Sequence, residues 1–341
     1  MLYIIKMKKT FCFLLAVAVF FVFSAFSLAS CGKKQLYSEG DGKLEVLCTV
    51  FAPFDFARVI GGDRVTVTLL QDSGADLHNY TPTAATLEAL SIANAFIYIG
   101  GVSDEAWVDS AISAAGNSKL HALCLMDLTE PVYTELENDW SDHVHGEHEH
   151  EHEHEHDHEH DHEHEADEHI WTSLRNAVEC VFAICELFCQ IDPDGAEVYQ
   201  RNAADYAAQL SALDAEYARF AESNGGRVSV FADRFPFVYL MHDYKIPYVA
   251  AFSGCSTEVN ASFEMQINLI NTVREHELSY VIVTEGNDKS LAEAVARETG
   301  CRIVSLNSLQ SVKRSDIVGG ISYLEIMQSN LEILKEASLW N

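Results

Sequence analysis

Residues 143–169 read H-V-H-G-E-H-E-H-E-H-E-H-E-H-D-H-E-H-D-H-E-H-E-A-D-E-H and hold twelve of the sixteen histidines in the chain, nearly all alternating with Glu or Asp. Neutral imidazole is the commonest side-chain ligand for borderline divalent metals, and carboxylates add oxygen donors. His143, His145, His148, His150, His152, His154, His156, His158, His160, His162 and His164 therefore make an accessory metal trap, and zinc is the ion such a composition suits best. The stretch offers almost nothing apolar to bury and its acids repel one another, so a disordered loop over 143–168 is expected. A plain solvated spacer is the alternative, but spacers usually repeat Ser, Gly, Pro or Glu rather than His. His148, Glu149 and His152 satisfy the zinc-peptidase pattern H-E-x-x-H. That match follows trivially from the repeat and lacks the apolar helix the motif needs, so no catalytic residue is read here.

Outside the repeat, His78 lies in G-A-D-L-H-N-Y-T-P-T and His169 in D-E-H-I-W, each in a predicted loop opening onto a helix. Spacing alone does not separate such loop histidines from merely exposed ones. Further donors are Asp233 in F-A-D-R-F-P-F, Glu258 in G-C-S-T-E-V-N, Glu285 at the end of Y-V-I-V-T-E, and His242. Asp233 has a competing role as an N-cap ahead of a helix starting at Phe235. Zinc takes four ligands in a closed site, or three plus water. Two imidazoles and a carboxylate would fit it, whereas an oxygen-rich set would move the preference toward manganese.

The elements that must position these donors alternate along the chain. Short apolar runs at Leu44–Val50, Val65–Leu70, Ala95–Ile99 and His121–Met126 read as strands separated by helical patterns. After the repeat, Ile170–Gln190 reads as an apolar helix and Asp192-Pro193 opens a long one over roughly 194–223. The alternation then restarts, with strands expected at Val228–Phe231, Tyr248–Phe252, Tyr280–Thr284 and Arg302–Leu306 and a last helix at Gly320–Ala337. This pattern predicts an α/β protein of two Rossmann-like lobes, each a parallel sheet under helices. The lobes would span 44–191 and 225–341, joined by one long helix over 192–224. Ligands in open α/β sheets bind beyond the carboxyl ends of the strands, here in the inter-lobe cleft.

At the N-terminus, Lys6, Lys8 and Lys9 precede an apolar run from Phe11 to Phe23 and the sequence Leu28-Ala29-Ser30-Cys31. The run is short for a membrane-spanning helix and ends at small residues, as an export signal does. Met7 is the more usual start for such a signal than Met1. Leu-Ala-Ser-Cys resembles a bacterial lipobox, which implies a signal peptide over 1–30, lipid on Cys31 and a tether over 31–43. That places the protein on the extracytoplasmic face of a cell membrane. The formal charge is −30, and twelve of the acids fall between Glu147 and Glu168, which argues against nucleic acid and is compatible with attracting cations. Cys180, Cys185 and Cys189 sit on an apolar helix and read as small buried hydrophobes, with a Cys185–Cys189 metal pair as the lesser alternative. Cys48, Cys124, Cys255 and Cys301 have the number to form disulfides but no readable pairing.

Taken together, G-A-D-L-H-N-Y-T-P-T, D-E-H-I-W and D-P-D-G-A-E-V-Y-Q-R-N resemble three elements of the zinc/manganese solute-binding proteins of bacterial ABC transporters, in order, between about Leu44 and Leu339. An acidic His-rich loop directly before the second element is similar to that of the family's zinc members. The resemblance implies a rigid linking helix, a monomer that delivers metal to a membrane permease, and no catalysis. It makes His78 and His169 ligands of Zn2+, with Mn2+ as the alternative. The second lobe departs from the family pattern: its usual third ligand position reads Ala232-Asp233, and L-N-S-L-Q carries the neutral Asn307 and Gln310 where an acid is customary. Asp233 is then the leading third ligand, ahead of Glu285 and Glu258. A metal-storage or adhesion lipoprotein is the reading from another functional class.

Overall fold

The computed structural model describes residues 42–70, 80–133, 166–254, 261–310 and 312–338. His78, Glu258, Cys31, Cys255 and the eleven histidines of the repeat lie outside these residues.

In the first lobe the apolar runs become strands β1 (Leu44–Cys48), β2 (Val65–Leu69), β3 (Ala95–Tyr98) and β4 (His121–Cys124). All pair in parallel, in the order β2-β1-β3-β4. The helices are α1 (Phe51–Gly61), α2 (Ala84–Ile92), α3 (Val102–Glu105) and α4 (Val108–Ala115). Helix α2 begins at a capping box: Thr83 accepts from Thr86 N, and the Thr86 hydroxyl accepts from Thr83 N.

Helix α5 (Leu174–Ile191) follows a 3-10 turn at Ile170–Thr172, with Ser173 as its N-cap. A second 3-10 turn at Pro193–Gly195 leads into α6 (Ala196–Asn224), whose 29 residues span about 43 Å at 1.5 Å each. Tyr199, Ala203, Tyr206, Leu210, Leu213, Tyr217 and Phe220 form its buried stripe at helical spacing.

The second lobe repeats the first. Strands β5 (Ser229–Phe235), β6 (Tyr248–Ser253), β7 (Tyr280–Thr284) and β8 (Arg302–Leu306) make a parallel sheet in the order β6-β5-β7-β8. Around it lie α7 (Val238–Tyr244), α8 (Phe263–Glu275), α9 (Ser290–Thr299), α10 (Arg314–Val318) and α11 (Tyr323–Ser338). All eight strands expected from sequence are present. Strand β5 runs farther than expected, and α7 starts at Val238 instead of Phe235. The cause is Pro236, whose ring disfavours helical backbone at Phe235 and keeps that residue extended.

One apolar core runs from β1 and α1 through α5 and α6 to α7 and α11, so it crosses from lobe to lobe. Polar bonds fix the same elements. Fully buried Asp55 of α1 pairs with Arg58 at 2.5 Å and accepts from Tyr206 Oη of α6 and from Tyr323 N at the start of α11. Tyr217 Oη donates to Met327 O at 2.8 Å, and Arg64 and Tyr199 both donate to Asp192. The six cysteines among the described residues are free thiols. Burial, followed by neighbouring Cys189, pushes the Cys185 thiol up to about 11, which suits packing rather than metal binding.

Candidate metal centre

His169 has no solvent exposure, and Asp167 explains how a buried imidazole is oriented. One Asp167 oxygen accepts from the backbone N–H of His169 and from its Nδ1, each at 2.8 Å. A carboxylate oxygen accepts from both, so the ring proton is assigned to Nδ1 and the lone pair to Nε2. This is the arrangement in which a metal-binding histidine is held by an outer carboxylate. The Trp171 and His169 rings meet edge to face, with centroids 5.2 Å apart.

The segment carrying His169 is fastened on both sides. Toward the first lobe, Glu168 Oε1 accepts from Ser103 N at 2.7 Å, and its side chain covers Gly101. Gly101 has φ +78°, and a Cβ there would fall 2.7 Å from Glu168 Cγ, so both backbone conformation and space call for glycine. Asp104 closes the end of β3 by accepting from Ile99 N and Gly100 N. Burial raises its carboxyl to about 6, opposed by the Gly100 N–H bond and assisted by the charge of Glu168.

Toward the second lobe, Trp171 Nε1 donates to Ser308 O at 2.8 Å and Tyr323 Oη donates to Trp171 O at 2.7 Å. Tyr239 Oη donates to Asp167 O at 2.9 Å, and Ser173 Oγ donates to Asp243. Gly254, just past β6, approaches the imidazole so closely that a Cβ there would lie 2.8 Å from His169 Cε1.

Gly254 and Ser308 line a cavity of about 220 Å³ that also receives Glu285, Asn307 and Gln310. The carboxyl ends of β6, β7 and β8 thus form a chamber beside His169, where an α/β sheet is expected to present ligands. Glu285 Oε2 accepts from Asn307 Nδ2 at 2.6 Å.

Asp233 is not the helix N-cap that the sequence offered as the alternative to a ligand role. It lies within β5 at a register shift between Phe231 and Arg234, and its Oδ2 accepts from Thr284 N and Asn287 Nδ2. Its side chain lines a separate cavity of about 500 Å³ with Gln266 and Asp288, and burial raises its carboxyl above the usual range. His242 is exposed on α7, in a groove that neither Glu285 nor Gly254 lines. Among the described residues no three His, Cys, Asp or Glu side chains converge closely enough to hold one ion. Gly254 both touches the His169 ring and lines the chamber that Glu285 lines; Asp233 is held at the junction of β5 and β7. Asp167 and Gly254 carried no assignment from sequence. An acid two residues before a candidate histidine was the available signal for the first, and nothing local signalled the second.

Residues 46–337 match the family model for zinc-uptake complex component A, the periplasmic ZnuA proteins. The chain belongs to the ZnuA family. It is 28% identical over 315 residues to the zinc-binding lipoprotein AdcA of Streptococcus pneumoniae serotype 4, covering 92% of this chain but 59% of that protein. It is 28% identical over 320 residues to the high-affinity zinc uptake system protein ZnuA of Bacillus subtilis strain 168, covering 92% of this chain and 94% of that one. Among solved structures, the Zn(II)-bound ZnuA-like domain of S. pneumoniae AdcA superposes with a TM-score of 0.67 at 25% identity, covering 87% of this chain and 99% of the domain. The B. subtilis lipoprotein YcdH gives a TM-score of 0.69 at 24% identity over 86% of this chain and 99% of its own, a likeness of fold. Both the family and the two-lobed α/β architecture agree with the sequence reading.

Proposed function

We propose that this ZnuA-family protein is an extracytoplasmic zinc receptor that captures Zn2+ in the cleft and hands it to the permease of an ABC importer. The observation that carries the reading is the fully buried His169, aligned by Asp167 and set against Gly254 of the opposite lobe. No merely exposed loop histidine needs such a setting. In this reading His78 and His169 supply imidazoles from the first lobe and a carboxylate of the second lobe completes the set, with Glu285 favoured over Asp233. Glu285 lines the cavity that Gly254, the neighbour of His169, also lines, whereas Asp233 lines a separate one. Glu258 remains a further candidate. The eleven histidines of the repeat hold additional ions weakly and raise the local zinc concentration. Lipid on Cys31 would keep the monomer at the membrane; the protein is a receptor and not an enzyme. The pneumococcal relative is named a zinc-binding lipoprotein and the B. subtilis relative a zinc uptake protein, which supports both cargo and setting.

The test uses the full chain stripped of metal by a chelator and titrated below one equivalent of zinc against a competing chromophoric chelator, so that the tightest site fills first. His78→Ala and His169→Ala should each weaken that first equivalent by more than the roughly 10–100-fold that loss of an outer-shell partner costs. Unchanged affinity in either variant would remove that histidine from the site. Tighter first-equivalent binding of Mn2+ than of Zn2+ would turn the assignment to manganese.

A further inference from the structure

Strand β6 is the outer strand of the second sheet, and among the described residues no strand pairs with its far side. Ser229 N of β5 donates to Pro247 O at 2.8 Å, and the two strands run parallel. Val249 therefore bonds toward β5, and alternate residues, Ala250 among them, turn their N–H and C=O outward. Such an edge is a template for one more strand. A groove of about 870 Å³ runs along it and is lined by the β6 residues from Tyr248 to Ala251. Met241, His242 and Lys245 form a wall on the α7 side, and Met265, Asn268 and Leu269 of α8 form the other. These helices cover opposite faces of the sheet: α7 packs with Phe231 and Ala250, and α8 with Val230 and Ala251. The groove is thus a slot between two helix layers, at the position a fifth strand would take. Asn268 lines it with a buried Nδ2 that has no hydrogen-bond partner among the described residues.

Tyr133 lines the same slot and pairs with Ala166, and residues 134–165 between them lie outside the described residues. The first nine read T-E-L-E-N-D-W-S-D. Leu136, Asn138 and Trp140 alternate there with Glu135, Glu137 and Asp139, which is the period of a strand with one polar and one more apolar face. Nine extended residues reach about 30 Å, ample for the length of β6. The slot offers a match for each face. His242 and Lys245 are exposed on the α7 side, and Arg175 lies over Tyr244 of α7, its guanidinium carbon 5.6 Å from the ring centroid. Met265, Leu269 and the Asn268 amide wait on the α8 side.

We propose that residues 134–142 dock in this slot as a fifth strand on β6, with Glu135, Glu137 and Asp139 toward the cations of the α7 side and Leu136 and Trp140 toward α8. The proposal is independent of zinc capture. It fixes the start of the histidine repeat to the second lobe, while Ala166 at its end leads directly into the segment that carries His169.

Hydrogen exchange followed by mass spectrometry on the full chain tests it. Peptides covering 134–142 should exchange about tenfold or more slowly than those covering 147–164, and the Ala250 amide should be protected with them. The triple variant Glu135→Lys/Glu137→Lys/Asp139→Lys alters no described residue, so the lobes should fold as in the parent. It should speed exchange about tenfold or more both in 134–142 and at Ala250. Tryptophan emission gives a second readout. The component lost in Trp140→Phe should be shielded from acrylamide in the parent and open to it when the triple variant is introduced. Exchange of 134–142 as fast as that of the repeat would overturn the proposal. Protection of Ala250 that survives the triple variant and grows with protein concentration would assign the edge to a second copy of the chain and overturn it as well.

Discussion

Asp167 fixes His169 in a fully enclosed setting. Two bonds of 2.8 Å from one residue to one oxygen fix both the backbone turn and the imidazole. Replacing it with alanine removes the acceptor of a buried ring N–H, frees the tautomer and deprives a bound cation of a nearby negative charge. Asp167→Ala should weaken the first zinc equivalent by about 10–100-fold, and competition titration checks it. An affinity within twofold of the parent would show that the pair serves folding only. At this scale the sequence singles out residues that lie in a short local motif. D-E-H-I-W singled out His169, while Asp167, two residues before it, carried no assignment. The N-cap alternative for Asp233 failed because its partners, Thr284 and Asn287, lie 51 and 54 residues away, and only the pairing of β5 with β7 brings them near. The value of Gly254 was equally hidden, since it depends on an imidazole 85 residues earlier in the chain.

Elements were easier to read than side-chain roles, because hydrophobic runs of strand length alternate regularly with 3.6-residue periodicity. The boundary that moved, at Phe235-Pro236, is explained by a steric rule that a hydrophobic pattern does not contain. The end of β3 offers a test of how an element terminus carries charge. Asp104 holds two backbone N–H groups there while burial raises its carboxyl from 3.8 to about 6. The folded chain therefore binds this proton more tightly than the unfolded chain does. Stability from that protonation is present below about pH 4 and is lost as pH rises through about 6. The loss amounts to about 1.4 kcal/mol per pH unit inside the window. Asp104→Asn keeps an acceptor for the two N–H groups but cannot ionise. Its stability relative to the parent, from urea unfolding at several pH values, should rise between about pH 4 and pH 6 and then level off. A pH-independent difference would mean that Asp104 ionises in the fold as freely as in the unfolded chain.

For the whole molecule, the contrast is between one enclosed histidine and a histidine repeat that has no apolar residue from Glu147 to Glu165. The lobes share a core and are bridged by Asp55, Tyr217 and Trp171, so the cleft is built on a stiff frame. The repeat is set by composition alone, and its ion binding should follow the titration of ordinary imidazole. With an unperturbed value near 6.5, about nine tenths of each imidazole is neutral at pH 7.5 and about a tenth at pH 5.5. Protons then compete with zinc at every histidine of the repeat, and the surrounding acids, which favour imidazolium, push the competition to slightly higher pH. Equilibrium dialysis of the full chain should show several zinc ions bound per molecule at pH 7.5. The equivalents beyond the first should mostly disappear by pH 5.5, and deletion of 143–165 should abolish them at both pH values while sparing the first. Surplus binding that persisted at pH 5.5 would assign those ions to the carboxylates of the repeat. Loss of the first equivalent on deletion would place the tight site in the repeat and leave the cleft as scaffold.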